Sequence, residues 1–202
     1  MVKKIVIAFD QSYKRTGISV GIDGKLVKVT SVDLSTYPPN EARAVLRNIA
    51  TKLIRNALKK CKDVVILTER IRTQSQYHGR NGPQYAVSKD YIFKTSALVY
   101  QIVDAAAEFD LKTYSVDTRS WKAQIVGSSK AKKTKDGKRD AKGETVQYVQ
   151  RLGFDLFIRT QRATKKNPNG LDIYDDDAAD SACICLYGFL PASKQKLTEI
   201  KI

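Results

Sequence analysis

The spacing of apolar residues changes several times along this chain, and each change marks an element. Ile5 to Asp10 is a β-rich apolar run that begins after two lysines. Thr16 to Ile22 and Leu26 to Leu34 follow it, divided from each other by the turn pair Asp23-Gly24. Three such runs in succession predict an antiparallel meander. Tyr37-Pro38-Pro39-Asn40 then interrupts the strands and offers Asn40 as a helix N-cap. From Glu41 to Lys60 the residues Ala42, Val45, Leu46, Ile49, Leu53, Ile54, Ala57 and Leu58 recur at helical spacing. Val64 to Thr68 is apolar almost throughout, as expected for a strand buried on both faces, and it runs into Glu69.

The second half is less regular. Arg70 to Gln84 is polar, contains Gly79 and Gly82-Pro83, and reads as a loop. Tyr85 to Phe109 reads as a long helix with Tyr91, Thr95, Leu98, Val99, Ile102, Val103 and Ala106 on one side. Lys112 to Val116 is a fifth strand, Thr118 to Ile125 and Glu144 to Leu152 are shorter helices, and a last helix starts near Asp177. Lys130 to Lys142 and Arg159 to Gly170 are basic and without period, so mobile loops are expected near 128–142 and 159–172. No repeat divides the chain, and 1–202 reads as one domain. The order βββαβα followed by helices predicts an α/β fold: a mixed five-stranded sheet, its first three strands antiparallel, flanked by helices.

Charge sharpens this picture. The chain carries 36 basic and 21 acidic residues, a formal balance of +15. A surplus of this size calls for a polyanionic partner, with nucleic acid ahead of an anionic membrane. No apolar run approaches the ~20 residues a membrane helix needs, and Ile5 to Phe9 is too short for a signal peptide. Cys61, Cys183 and Cys185 are an odd number without CxxC spacing, which fits buried thiols in a reduced, cytoplasmic compartment and no zinc site. His78 is the single histidine, so chemistry by a histidine base is disfavoured.

Against this basic background the acidic run Asp175-Asp176-Asp177-Ala178-Ala179-Asp180 stands out. Asp177 and Asp180 are three apart and share a helix face, and the alanines between them leave room for a close approach. An acidic pocket in a basic protein suggests a cation held beside a polyanion. Asp10 ends the first strand and Glu69 the fourth; if those strands are neighbours, the two carboxylates meet at one end of the sheet and Asp177 and Asp180 complete the cluster. Each residue alone has a plainer reading. Asp10 could be a strand-end turn residue, Glu69 could pair with Arg70 or Arg72, and Asp175 and Asp176 fit a helix cap. Oxygen donors alone suit Mg²⁺, with Mn²⁺ as a substitute, and argue against zinc.

Several stretches taken in order resemble the RuvC family of Holliday-junction resolvases. They are Ile5-Val-Ile-Ala-Phe-Asp10 with Thr16-Gly17, Val65-Ile-Leu-Thr-Glu69, Trp121-Lys122-Ala-Gln-Ile-Val-Gly127 with Lys142-Gly-Glu-Thr-Val-Gln147, and Asp177-Ala-Ala-Asp180. The resemblance implies a ribonuclease-H-like fold, a homodimer and Mg²⁺-dependent nicking of branched DNA, with no small-molecule cofactor. It implies that Asp10, Glu69, Asp177 and Asp180 are the catalytic, metal-binding carboxylates and that Lys122 and Lys142 contact phosphate. In the general two-metal scheme Asp10 would bridge two ions per active site, Glu69 would serve the ion near the leaving group, and Asp177 and Asp180 the ion that activates water. Lys130, Lys132 and Lys133, in the basic insertion, are further candidates for the DNA backbone. The insertions and compact length suggest a phage-encoded member, which would place it in the host cytoplasm.

One departure bears on substrate choice. Bacterial members carry an aromatic residue three positions after the catalytic glutamate, whereas here that position is Arg72 and the next aromatic is Tyr77. Arg72 is therefore a DNA-binding candidate, and the expected substrates widen from four-way junctions to forks and three-way junctions. His78 could touch DNA in the same loop, though an exposed loop histidine is the plainer reading. Two other classes compete. A sugar-kinase-like ATPase would explain Asp10-Gln-Ser with Thr16-Gly17, but it needs two duplicated domains. A catalytically inactive ribonuclease-H-fold protein that binds branched DNA would be expected to have lost a carboxylate.

Overall fold

The computed structural model describes residues 2–71, 76–79, 82–85, 88–127, 141–161 and 171–201. Strands β1 (Ile5–Asp10), β2 (Thr16–Ile22) and β3 (Lys25–Val32) form the expected meander. The β2–β3 turn is Asp23-Gly24, both with positive φ (48° and 86°), the backbone that matches the twist of a two-residue hairpin. Helix α1 (Pro39–Leu58) follows, then β4 (Val64–Glu69), a short hairpin of β5 (Gln76–Gly79) and β6 (Gly82–Tyr85), and α2 (Lys89–Ala107). Strand β7 (Thr113–Val116) leads into α3 (Thr118–Trp121), which continues as a π-helical turn over Lys122–Val126, and then α4 (Ala141–Arg151). A second hairpin, β8 (Phe157–Gln161) and β9 (Leu171–Tyr174), precedes α5 (Asp176–Tyr187) and the edge strand β10 (Leu197–Glu199).

The main sheet runs β10-β7-β4-β1-β2-β3. β1, β4 and β7 are parallel to one another, while β2, β3 and β10 run antiparallel to their neighbours. The mixed α/β architecture is as expected, with six strands in place of five. Alternation along the strands splits the core. Ile5, Ile7, Phe9 and Ile66 pack with α1 and α2, and Val6, Ala8 and Leu67 pack with α5, α4 and the buried Trp121.

Some local expectations change. α1 begins at Pro39 with Pro38 in the cap position and no side-chain cap, so Asn40 lies inside the helix; proline at the first turn lacks only a hydrogen that would have no partner there. α2 begins at Lys89, capped by the Ser88 hydroxyl, because residues 82–85 pair as a strand; Tyr91, expected on the buried side, is exposed in its first turn. The expected Arg70 to Gln84 loop holds β5 and most of β6, and the expected basic loop from Arg159 begins inside β8, whose last three residues are Arg159 to Gln161.

What sets α5 against the sheet is a stripe of small residues. On β2, Gly17, Ser19 and Gly21 alternate toward α5 while Thr16 and Ile18 turn away. Ser19 and Ser181 share a buried hydrogen bond at 2.7 Å between their hydroxyl oxygens. A Cβ at Gly17 would sit 1.9 Å from the carbonyl oxygen of Asp177 and 2.4 Å from its carbon, and one at Gly21 would meet Phe189 and the Cys185 sulfur at 2.6 and 2.9 Å. The obstruction at Gly17 is backbone, which cannot rotate aside. Gly17→Ala is therefore expected to cost about 1–3 kcal/mol or more and to lower Tm by roughly 5–10 °C. Thermal denaturation of G17A within a degree or two of the parent would show that α5 does not need this approach.

Candidate active site

Sheet register brings the first two carboxylates together. Phe9 pairs with Thr68 across the parallel β1–β4 ladder, so Asp10 and Glu69 are the next residues on adjacent strands. Both point to the α5 side, two positions beyond Ala8 and Leu67. On its other flank Asp10 faces Gly17 in the β1–β2 ladder, directly beneath the Asp177 backbone.

The start of α5 is pinned from outside. Asp175 is its N-cap and accepts the Ala178 N–H at 2.9 Å through Oδ1. Its Oδ2 accepts the Ser31 hydroxyl of β3 and lies 3.8 Å from Arg15 Nη1. Asp175 is thus the cap expected from the sequence, and Asp176 and Asp177 occupy the first turn. With the helix held there, the charges of Asp177 and Asp180 act on Asp10.

Electrostatics show the other three carboxylates acting on Asp10. The Asp10 carboxyl is pushed well above its ordinary range, first by burial and then by the charges of Glu69, Asp180 and Asp177, and it hydrogen-bonds Glu69. Asp180 is raised to about 7, again first by burial; Glu69 and Asp176 add to the shift, and Lys122 and a hydrogen bond with Thr145 oppose it. Lys122 Nζ stands 3.9 Å from Asp180 Oδ2, an ion pair too long to be a hydrogen bond, and 5.0 Å from the centre of the Trp121 ring. Glu69 accepts the Thr118 hydroxyl at Oε1 (2.5 Å), and its backbone carbonyl accepts Gln11 Nε2 (2.7 Å).

The donor set fits a hard divalent cation. Asp180 Oδ1 is buried with no hydrogen-bond partner among the described residues, an acceptor left open for a cation. Cys183, one turn beyond Asp180, is held above the ordinary thiol value by burial and then by Asp180, so it offers no thiolate to a softer metal. Among the described residues no three such side chains already close around one point. Each outer carboxylate leans instead on its own partner: Glu69 on Thr118, and Asp180 on Lys122 and Thr145.

Of the basic candidates, Lys122 is at the cluster. Lys142 lies in the first turn of α4, where only the backbone is described, and Arg72, Lys130, Lys132 and Lys133 lie outside the described residues, as do the side chains of Tyr77 and His78. Thr118, Gln11 and Thr145 were not singled out by sequence. A legible signal existed for Thr118, which opens a helix after Asp117 and stands four residues before Lys122.

No protein-family model and no curated protein matches the chain. Solved structures do. RuvC of Thermus thermophilus superposes with a TM-score of 0.61 at 16% identity, over 97% of this chain and 99% of that one. The same organism's RuvC in complex with a Holliday junction substrate gives 0.60 at 16% identity, over 98% and 99%. The chain therefore has the RuvC, ribonuclease-H-like fold.

A carboxyl whose folded pKa exceeds its unfolded one imposes no penalty below about pH 4, and the penalty grows as pH rises through the folded value. In EDTA the protein is expected to lose stability between about pH 4 and about pH 7 through Asp180. Asp180→Asn should exceed the parent by about 1–3 kcal/mol at pH 8, less than the full shift because Lys122 loses its partner, with the gap closing toward pH 4. Urea denaturation across this range decides it; D180N no more stable than the parent at pH 8 would contradict the penalty.

Proposed function

We propose that this chain is a divalent-cation-dependent endonuclease that nicks branched DNA, Holliday junctions among its substrates. The observation that carries the reading is the convergence of Asp10, Glu69, Asp177 and Asp180 from β1, β4 and α5 at one end of the sheet. These four would hold Mg²⁺ or Mn²⁺, two ions per site, and Asp10, which feels all three other charges, would be the shared ligand. When bound, such ions supply an activated water and stabilise charge on the leaving oxygen of a phosphodiester.

The rest of the chemistry belongs to the chain. Lys122, 3.9 Å from Asp180 Oδ2, would meet a phosphate oxygen there. The surplus of 15 positive charges offsets repulsion between DNA and an acidic site, and it makes binding depend steeply on salt. Arg72, Lys130, Lys132, Lys133 and Lys142 would supply further backbone contacts. Likeness to a structure that holds a Holliday junction supports branched DNA as the substrate class. The added basic segments and Arg72 in place of an aromatic support forks and three-way junctions as well. The added basic segments also support a phage-encoded origin.

A second copy would seat on α2. Phe93 is 75% exposed and Tyr100 48%, and with Ile92, Ser96 and Ala97 they form one apolar helix face. Such a homodimer would present two active sites to opposing strands.

Asp10→Asn and Glu69→Gln are expected to abolish Mg²⁺-dependent nicking while junction binding in gel-shift assays remains largely intact. Parent-like cleavage by D10N would sink the assignment. Comparison of four-way junctions, three-way forks and plain duplex tests the range; strong preference for the four-way junction alone would remove the wider claim. Phe93→Glu should convert a dimer to a monomer in sedimentation, and an unchanged oligomeric state would exclude this face.

A further inference from the structure

Glu69 presents a positioning problem that the carboxylate cluster cannot solve by itself. Its flexible side chain hydrogen-bonds Asp10 but sits in the field of the Asp10 and Asp180 carboxylates, and long side chains lose appreciable entropy when fixed. The structure supplies a neutral donor at this point. Thr118 Oγ1 donates to Glu69 Oε1 at 2.5 Å, and Thr118 is only 8% exposed, so water competes little for the bond.

We propose that Thr118 is a positioning residue for the divalent-cation site, acting through Glu69; the inference rests on the metal-dependent reading above. Thr118 is the first residue of α3, capped by the Asp117 side chain, which accepts the Arg119 N–H at 2.9 Å. A threonine deeper in a helix can turn its hydroxyl to the carbonyl one turn back. At the first position no such helical carbonyl exists, so the hydroxyl is free for a tertiary partner. Gln11 holds the same glutamate from the backbone side, through Nε2 to the Glu69 carbonyl at 2.7 Å.

The rest of α3 makes this support rigid. Trp121 is fully buried among Val146, Val149 and the α5 side chains and fixes the helix against the core. Lys122, one turn after Thr118 and on the same face, reaches Asp180. One helix face therefore sets the spacing between Glu69 and Asp180, by a hydroxyl on one and an ammonium on the other. A hydroxyl suits Glu69 because it orients one carboxylate oxygen without bringing a positive charge that competes with a cation.

Thr118→Val keeps the shape and removes the donor, whereas Thr118→Ser keeps the donor. Mn²⁺ binding to the DNA-free protein, read by titration calorimetry, is expected to weaken about 10-fold in T118V and to stay within about twofold of the parent in T118S. The Mg²⁺ concentration for half-maximal nicking should shift in parallel, with thermal stability of T118V in EDTA close to the parent. Parent-like Mn²⁺ affinity in T118V would overturn the inference, as would a T118S defect equal to that of T118V, which would assign the effect to packing. Glu69→Gln separates the two levels: if E69Q binds Mn²⁺ as the parent does, the metal-dependent reading itself fails.

Discussion

The close approach of α5 to β2 is the constraint on which the site depends. At Gly17 the strand has no side chain where the Asp177 peptide lies, and Gly21 likewise yields space to Cys185 and Phe189. Alanines and a serine on the helix meet glycines and a serine on the strand, so the helix rides lower over the sheet than larger residues would permit. Gly17 is also the ladder partner of Asp10. The position that admits the helix is thus the neighbour of the carboxylate that the helix must meet.

Bringing four acids together costs stability, and the fold bears that cost with a rigid surround. Raised values at Asp10 and Asp180 express it directly: burial comes first as cause, and mutual repulsion adds to it. The first turn of α5 is held by Asp175, tied to Ser31 and near Arg15, outside the cluster. Inside it, Glu69 and Asp180 receive different partners from one helix, a neutral hydroxyl and a loosely paired ammonium. Concentrating strain at a site held by well-packed elements is common where chemistry requires an unfavourable arrangement.

Much of the architecture was legible because it is written in local periods. The β1–β3 meander, the Asp23-Gly24 turn, α1, β4 and the capped start of α5 all follow from apolar spacing and turn chemistry. What escaped has a common cause. β10 has three residues, too few to show alternation, and exists because β7 offers it a free edge. The β5–β6 hairpin is polar, and pairing there moved the start of α2 by four residues from Tyr85 to Lys89. Asn40 looked like a cap, yet the preceding prolines already imposed the helical entry.

The candidate site divides in the same way. Sequence alone determined that carboxylates end two apolar strands, that two more share one face of a later helix, and that the remaining chain is strongly basic. It also placed Thr118 and Lys122 four residues apart. Tertiary structure decided that β1 and β4 are parallel neighbours in a register that sets Asp10 beside Glu69, on the face that α5 covers. It also decided that Thr118 donates to Glu69 while Lys122 faces Asp180. The reason is physical: a local pattern fixes which face of an element is buried, but only pairing between distant segments fixes what lies opposite it.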